Sequence, residues 1–150
     1  MYSTFRGKKY LIKDVIANKL MRIYIIAVGK PTKEYSTLIN EYEQRLGKYC
    51  TFTAKEVKND KELIAIPLKG TVVALDKSGK QMSSESLASW LKDKQDVTFV
   101  IGGPEGLPAI NTNMKISFSQ MTFPHQLARL IITEQIYRAF TILKNEKYHK

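Results

Sequence analysis

The stretch Val100-Ile101-Gly102-Gly103-Pro104-Glu105-Gly106 carries an apolar run directly into a glycine-rich turn. The run predicts a buried strand, and backbone without side chains lets a ligand approach the main chain closely. Ligands of α/β proteins bind beyond the carboxyl ends of the strands, where we expect this turn to lie. The turn lacks the spacing of G-x-G-x-x-G and the ending of a Walker A loop, so it indicates a small-molecule site and not a phosphate cradle. A tight connection between two elements would give the same pattern.

Strands and helices alternate on both sides of this turn, which predicts an α/β fold with a mostly parallel sheet flanked by helices. Apolar runs predict strands over residues 23–28, 51–57, 71–75, 97–101 and 115–118. Helical spacing predicts helices over residues 33–46, 83–94 and 123–145, and one helical turn within residues 59–69. We expect a polar turn over residues 76–80 and a short helix or turn over residues 107–113.

The composition predicts a basic globular domain. The chain has 150 residues, 43% of them hydrophobic, and a net charge of +10 from 24 Lys and Arg against 14 Asp and Glu. Such a charge favours an acidic partner, nucleic acid above all, although an inert basic surface has the same composition. No apolar run approaches the length of a membrane span, so we expect no membrane attachment.

Cysteine and histidine usage disfavours two classes of site. Cys50 is the only cysteine, which excludes an internal disulfide and fits a reducing cytoplasm. With only His125 and His149 beside it, a structural zinc site or a Cys-His hydrolase is disfavoured, and we expect no metal.

The first twenty residues read as an extension that is not part of the fold. They carry a net charge of +4, leave +6 on the other 130 residues, and lack the continuous apolar core of a secretory signal. Met21 then opens the first strong strand. We therefore expect residues 1–20 to be an N-terminal extension and residues 21–150 to form a single domain.

The last predicted helix is apolar around nearly its whole circumference. A helix of this kind is buried on more than one side, so a second subunit would cover the face that the sheet does not. This favours a homodimer, and central packing within one subunit is the alternative. The apolar residues are Leu127, Ala128, Leu130, Ile131, Ile132, Ile136, Tyr137, Ala139, Phe140, Ile142 and Leu143.

Charged residues interrupt this helix and a polar tail follows it. Glu134 and Arg138 are four residues apart and can pair, either to orient helices or to present the arginine to a phosphate or a developing anion. Tyr148-His149-Lys150 ends the sequence, and histidine is the side chain that titrates nearest to neutral pH. His125 opens the helix, where packing or capping explains it as well as catalysis does.

Several segments together resemble the ribosomal RNA large subunit methyltransferase H family. They are Ala27-Val28-Gly29-Lys30, Leu75-Asp76-Lys77-Ser78-Gly79-Lys80, Phe99-Val100-Ile101-Gly102-Gly103-Pro104-Glu105-Gly106, Phe118-Ser119-Gln120-Met121-Thr122-Phe123-Pro124-His125, Glu134-Gln135-Ile136-Tyr137-Arg138-Ala139 and the closing Tyr148-His149-Lys150. The resemblance runs in order over residues 21–150. This sequence departs from the family pattern in two segments that look shorter than usual, residues 58–70 and 107–114.

The resemblance implies a SPOUT fold with a deep trefoil knot near the C-terminus, and a homodimer. It also implies methylation of N3 of pseudouridine 1915 in 23S ribosomal RNA on the assembled ribosome, with S-adenosylmethionine as the methyl donor and without a metal. This would make the protein a cytoplasmic rRNA-processing enzyme.

The resemblance also implies site residues. For the chemistry itself, we expect Arg138 to place the substrate or stabilise its anion and His149 to be the base with Tyr148 beside it. A solvent proton acceptor with purely positional catalysis is the alternative. We expect the tail to reach the cofactor pocket of the partner subunit. The implied cofactor contacts are Leu75, Gly102, Phe118, Ser119, Gln120, Met121, Thr122 and Phe123.

Two other functions fit parts of the sequence. A non-catalytic RNA- or ribosome-binding module would use the positive charge and leave the glycine turn without a ligand. A nucleotide-binding enzyme of ordinary doubly wound topology fits less well, because no glycine motif cradles a phosphate.

Overall fold

A five-stranded parallel sheet forms the centre of the protein. The computed structural model describes residues 2–5, 8–11 and 21–150. Its strands are β3 (Arg22–Val28), β4 (Thr51–Val57), β5 (Thr71–Gln81), β6 (Asp96–Ile101) and β7 (Met114–Ser117). Their order in the sheet is β4-β3-β6-β5-β7, and all neighbouring strands are parallel.

A separate antiparallel pair precedes this sheet. It consists of β1 (Tyr2–Phe5) and β2 (Lys8–Leu11). Met21 belongs to the core of the main sheet, since its side chain is buried and its carbonyl accepts a hydrogen bond from Thr51 N at 3.0 Å.

Helices cover the two faces of the sheet unequally. The helices are α1 (Lys33–Leu46), α2 (Asp60–Ala65), α3 (Ser84–Leu91) and α4 (His125–Leu143). Along β3, Ile23 and Ile25 point into the larger core with residues of α1, α3 and α4, whereas Ile26 points into a smaller core with Leu63 of α2. This alternation follows from the two-residue period of a strand. None of the described helices is long and apolar enough to cross a membrane.

The predicted order of strands and helices is confirmed. Lys33–Leu46 and Thr51–Val57 have the predicted bounds, and the helical turn within residues 59–69 is α2. The side chain of Ser83 caps α3 by accepting a hydrogen bond from Ser86 N. That helix ends at Leu91, earlier than predicted.

Two connections differ from the prediction. Residues 76–80 lie within β5 as a bulge, because the strand leaves β7 after Leu75 and returns to the same partner, Ile116, at Lys80. Within the bulge Ser78 N and Oγ both donate to the Asp76 carboxylate, so the turn chemistry is present inside a strand. Residues 107–113 contain no helix. Asn113 instead exchanges backbone and side-chain hydrogen bonds with Val72.

Helix α4 lies between α1 and α3 over the sheet. Arg129 of α4 pairs with Glu43 of α1, and Gln135 of α4 accepts a hydrogen bond from Ser84 Oγ of α3 at 2.6 Å. The neighbouring helices therefore cover part of the apolar circumference of α4. Leu127, Leu130 and Ile131 are only partly buried and lie in neither the larger nor the smaller core, so the homodimer stays a prediction.

The bulge in β5 predicts a strict requirement for glycine at residue 79. A Cβ on Gly79 would lie 2.7 Å from backbone atoms of Lys115 and Ile116. Gly79→Ala is therefore expected to lower the free energy of unfolding by about 1–3 kcal/mol in urea denaturation, because backbone cannot give way as a flexible side chain does.

Gly47→Ala is the matched control. Gly47 has φ −58 and only an ordinary contact, 3.4 Å from Gln44 O, so we expect a change within about 0.5 kcal/mol. Equal effects of the two substitutions would contradict the close passage of β5 against β7.

Candidate functional site

The predicted cofactor residues meet at one edge of the sheet. Leu75 lies in β5, Gly102 follows β6 and Phe118 follows β7, and β5 is paired with both of the other strands. Because neighbouring strands are parallel, the glycine turn and the segment after β7 leave the sheet at the same edge. The fold therefore brings the segments that carry the predicted cofactor residues to one edge of the sheet.

The glycine turn folds back on itself. Gly106 N donates to Gly103 O at 3.0 Å, and Gly106 has φ +88, a conformation that favours glycine. A Cβ on Gly102 would lie 2.6 Å from Gly106 O and 2.9 Å from Leu107 N. The missing side chain at residue 102 is therefore required by the backbone of the turn itself.

Residues 118–123 form an ordered loop at the same edge. Ser117 Oγ donates to Ser119 O at 2.7 Å, and Met121 N donates to Ser119 Oγ at 3.0 Å. The rings of Phe118 and Phe123 lie 6.3 Å apart. Met121 is 75% exposed, so the loop presents an apolar side chain to solvent.

The C-terminal tail forms a second cluster on α4. Arg138 Nε and Nη2 donate to Glu134 Oε1 at 2.9 and 2.7 Å, and Arg138 Nη1 lies 3.1 Å from His149 Nδ1. The Arg138 guanidinium also lies over the Tyr148 ring at 4.9 Å. The three residues predicted to be catalytic, Arg138, Tyr148 and His149, are therefore in contact within one protomer.

Tyr148 is a hydrogen-bond donor in this cluster. Its hydroxyl donates to Glu134 Oε1 at 3.0 Å and lies 3.3 Å from the hydroxyl of Tyr42 on α1, while its ring meets Tyr137 edge to face. Burial first, and then the hydrogen bonds with Tyr42 and Glu134, raise the pKa of Tyr148 above its ordinary value. Tyr148 therefore stays protonated at neutral pH and donates.

His149 has a partner on each ring nitrogen. Nδ1 faces Arg138, and Nε2 lies 2.7 Å from Glu85 Oε1 on the first turn of α3. The sequence analysis assigned neither Glu85 nor Tyr42 to the site. Both come from elements far away in sequence, and no local pattern marks such partners.

The two clusters lie apart along α4. Phe123 precedes the helix and Arg138 lies fifteen residues later, which at the helical rise is roughly 22 Å along the axis. The tail docks on α4 of its own protomer. Contact between one tail and the cofactor edge of another subunit stays a prediction.

Curated relatives of this chain share a name. Proteins named ribosomal RNA large subunit methyltransferase H are 45% identical over 144 residues in Mycoplasmopsis synoviae, 43% over 139 in Coprothermobacter proteolyticus and 43% over 159 in Clostridium novyi. Each match covers 87% of this chain and 100% of the relative. The sequence model of a family described as "Predicted SPOUT methyltransferase" matches residues 21–149.

The chain belongs to the ribosomal RNA large subunit methyltransferase H family of SPOUT methyltransferases. This confirms the resemblance inferred from the motifs. The α/β fold with its parallel sheet agrees with that membership.

In this SPOUT methyltransferase the remaining charged residue of α4, Arg129, has a structural role. Arg129 is buried and donates to Glu56 of β4 at 2.8 Å and to Glu43 of α1 at 3.4 Å. The hydrogen bond from Arg129 lowers the pKa of Glu56, whereas burial raises that of Glu43. Arg129 thus ties α4 to α1 and to the edge strand β4. His125, at the start of α4, lies near Gly29 at the end of β3.

Two clefts lie on the α2 face of the SPOUT domain. A cleft of about 590 Å³ includes Gly29, Lys55 and Lys58 in its lining, and one of about 470 Å³ includes Leu63 and Ile110. Neither is lined by Leu75, Gly102 or residues 118–123. Within the described ranges, no group of three or more His, Cys, Asp or Glu residues is placed to hold a metal ion.

The tail cluster predicts a stability change at high pH. Tyr148 has a raised pKa in the folded protein, so its contribution is complete below the ordinary value of about 10 and is lost as pH rises above it. Urea midpoints measured at pH 9 and pH 11 should fall more steeply for the unmodified protein than for Tyr148→Phe. An equal fall of the urea midpoint in the two proteins would show that the fold does not raise the pKa of Tyr148.

Proposed function

We propose that this chain is an S-adenosylmethionine-dependent methyltransferase that methylates N3 of pseudouridine 1915 in 23S ribosomal RNA. It acts on the assembled ribosome, in the cytoplasm, as a homodimer. Membership of the family and the printed names of the relatives support a large-subunit RNA substrate. The net charge of +10 supports binding to a polyanion. The tail cluster on α4, together with a sheet edge suited to a small ligand, carries the proposal.

The sheet edge fits a methyl donor of this kind. The apolar side chains of Leu75, Phe118 and Met121 would contact an adenine ring, and the main chain of residues 119–122 would hydrogen-bond its edge. Gly102 would contribute its backbone to the site. Its missing side chain makes room for the turn that follows. S-adenosylmethionine, when bound, supplies an electrophilic methyl group on a sulfonium.

The tail residues would handle the proton and charge of the substrate imide. N3 of pseudouridine carries a proton between two carbonyl groups, and it must lose that proton in order to accept the methyl group. Arg138 would stabilise the imide anion with the N–H groups that Glu134 leaves free. His149 Nδ1 would take the proton once Arg138 Nη1 turns from that nitrogen to the substrate. Tyr148 would hold the arginine in place through its ring.

The separation along α4 supports a site built from two subunits. Phe123 and Arg138 lie roughly 22 Å apart on one helix, too far for both to contact the same reacting atoms. A two-fold partner would bring its tail cluster to the cofactor edge of the first subunit. The homodimer thus rests on this separation more than on the apolar circumference of α4.

The remaining parts of the proposal concern the fold. We propose a single methyltransferase domain over residues 21–150, with residues 1–20 as an extension, since the family match begins at residue 21 and Met21 is buried in the core. We also propose the deep trefoil knot of SPOUT proteins near the C-terminus. The close passage of Gly79 against the backbone of β7 is consistent with tight threading there.

Removing residues 148–150 is expected to abolish methylation, because the truncated protein lacks Tyr148 and His149. Binding of S-adenosylmethionine, measured by isothermal calorimetry, should be unchanged. The readout is mass spectrometry of the target RNA loop, from cells that lack the gene and are complemented with full-length or truncated protein. Intact methylation by the folded truncated protein would contradict the role of the tail. A full-length protein that binds ribosomes but shows neither cofactor binding nor methylation would instead favour the non-catalytic RNA-binding module.

Mixed dimers test the shared site. Met121→Glu is expected to lose cofactor binding, and the truncation of residues 148–150 loses the tail. Because each mixed dimer retains one complete site, co-refolding equal amounts should restore about a quarter of the unmodified activity. Co-refolded samples of either variant alone are the controls. Activity no greater than in those controls would contradict a site shared between subunits.

A further inference from the structure

Glu85 faces the tail cluster from α3. Its Oε1 lies 2.7 Å from His149 Nε2, whereas Arg138 Nη1 lies 3.1 Å from Nδ1 of the same ring. The Glu85 side chain is 63% exposed and the His149 side chain 23%. The imidazole is thus held between a carboxylate and a guanidinium that come from different helices.

These two partners decide which ring nitrogen carries the hydrogen. A guanidinium has only donors, so Nδ1 must offer its lone pair to Arg138. The Glu85 carboxylate accepts, and hydrogen bonds from its own backbone N–H and from His149 hold its pKa below the ordinary range. Nε2 therefore carries the hydrogen and donates it to Glu85. The neutral ring has one tautomer, with its lone pair on the side of Arg138.

The carboxylate is itself held in place. Ser83 caps α3, which puts Glu85 in the first turn, where the helix dipole favours a negative charge. Ser84 Oγ donates to Gln135 Oε1, and Gln135 Nε2 donates to Glu134 Oε2 at 2.7 Å. The first turn of α3 is thereby fixed to the part of α4 that carries Glu134 and Arg138.

We propose that Glu85 is a positioning residue for the methyl transfer, which holds His149 in the Nε2–H tautomer so that Nδ1 is the atom that accepts the substrate proton. This rests on the proposed function, in which His149 is the base. Glu85 touches neither the substrate nor the methyl donor. It acts through the orientation of the imidazole, as the acidic residue does in a Ser-His-Asp triad.

The proton transfer balances with these groups. The N3–H bond of the imide breaks and its proton bonds to Nδ1, which leaves the electron pair on N3 and a positive charge on the imidazole. Glu85 stabilises that charge through the hydrogen bond from Nε2, and Arg138 stabilises the imide anion. With the methyl donor bound, N3 would form a bond to its methyl carbon, and the electron pair of the broken carbon–sulfur bond would stay on sulfur.

The tautomer is measured by nitrogen-15 NMR of the histidine rings. The chain has only two histidines, and His149→Gln assigns their signals. We expect the protonated nitrogen of His149 to be Nε2 in the unmodified protein and in Glu85→Gln, whose amide oxygen still accepts. Glu85→Ala should give a mixture of tautomers, with His125 unchanged. A ring that stays Nε2–H in folded Glu85→Ala would overturn the proposal, and so would an unmodified protein with Nδ1–H.

Kinetics on ribosomes provide the second measurement. Glu85→Ala should lower kcat by about tenfold or more, with KM for ribosomes and for the methyl donor within about twofold, because an ordered base contributes to the chemical step. Glu85→Gln should retain more activity than Glu85→Ala. Asp60→Asn, which changes a first-turn acid of α2 on the other face of the sheet, is the control and should leave both constants unchanged.

The outcomes separate the two proposals. No methylation by the unmodified protein would defeat the proposed function, whereas the NMR result would still decide whether Glu85 sets the tautomer. A loss confined to KM, or an equal loss in Asp60→Asn, would overturn the positioning role. Thermal melts of each variant show whether it is folded. If Glu85→Ala fails to fold, the nitrogen-15 spectrum of the unmodified protein decides, since Nε2–H supports the proposal and Nδ1–H overturns it.

Discussion

The carboxylate of Glu134 holds the tail cluster together. Oε1 lies within 3.0 Å of Arg138 Nε, Arg138 Nη2 and the Tyr148 hydroxyl, and Oε2 accepts from Gln135 Nε2. A carboxylate with 16% of its side chain exposed needs such donors to offset the loss of water. It pairs with the guanidinium of Arg138, and the hydrogen bond between the two groups raises the pKa of Arg138. The pairing leaves Nη1 to reach His149. The position of the tail depends on this group.

At the edge of the sheet the constraint is steric, because stretches of main chain pass close to each other there. Gly102 makes room for Gly106 and Leu107, and Gly79 makes room for the backbone of β7. Both glycines lie where two stretches of main chain pass closer than any side chain allows. The candidate methyl-donor site is thus built from tightly packed backbone, with apolar side chains such as that of Met121 added at its rim.

Helix α4 joins these two regions and also keeps them apart. It begins beside the loop of residues 118–123 and carries Arg138 about four turns later. The buried Arg129 between Glu43 and Glu56 fixes the helix to α1 and β4, so the separation is rigid. This rigid separation within one protomer is the reason for proposing that a second subunit completes the site.

The amino-acid sequence by itself determined the order of the elements, because the periods of strand and helix are local properties. It also determined the family, because the motifs in residues 21–150 occur in one order. The predicted cofactor edge follows from the same information, since parallel strands end at a common edge. Only the tertiary structure decided that residues 76–80 are a bulge inside β5, since the bulge depends on pairing with Ile116. Only the tertiary structure brought Tyr42 and Glu85 to the tail, since hydrogen-bond partners 106 and 64 residues apart leave no local pattern.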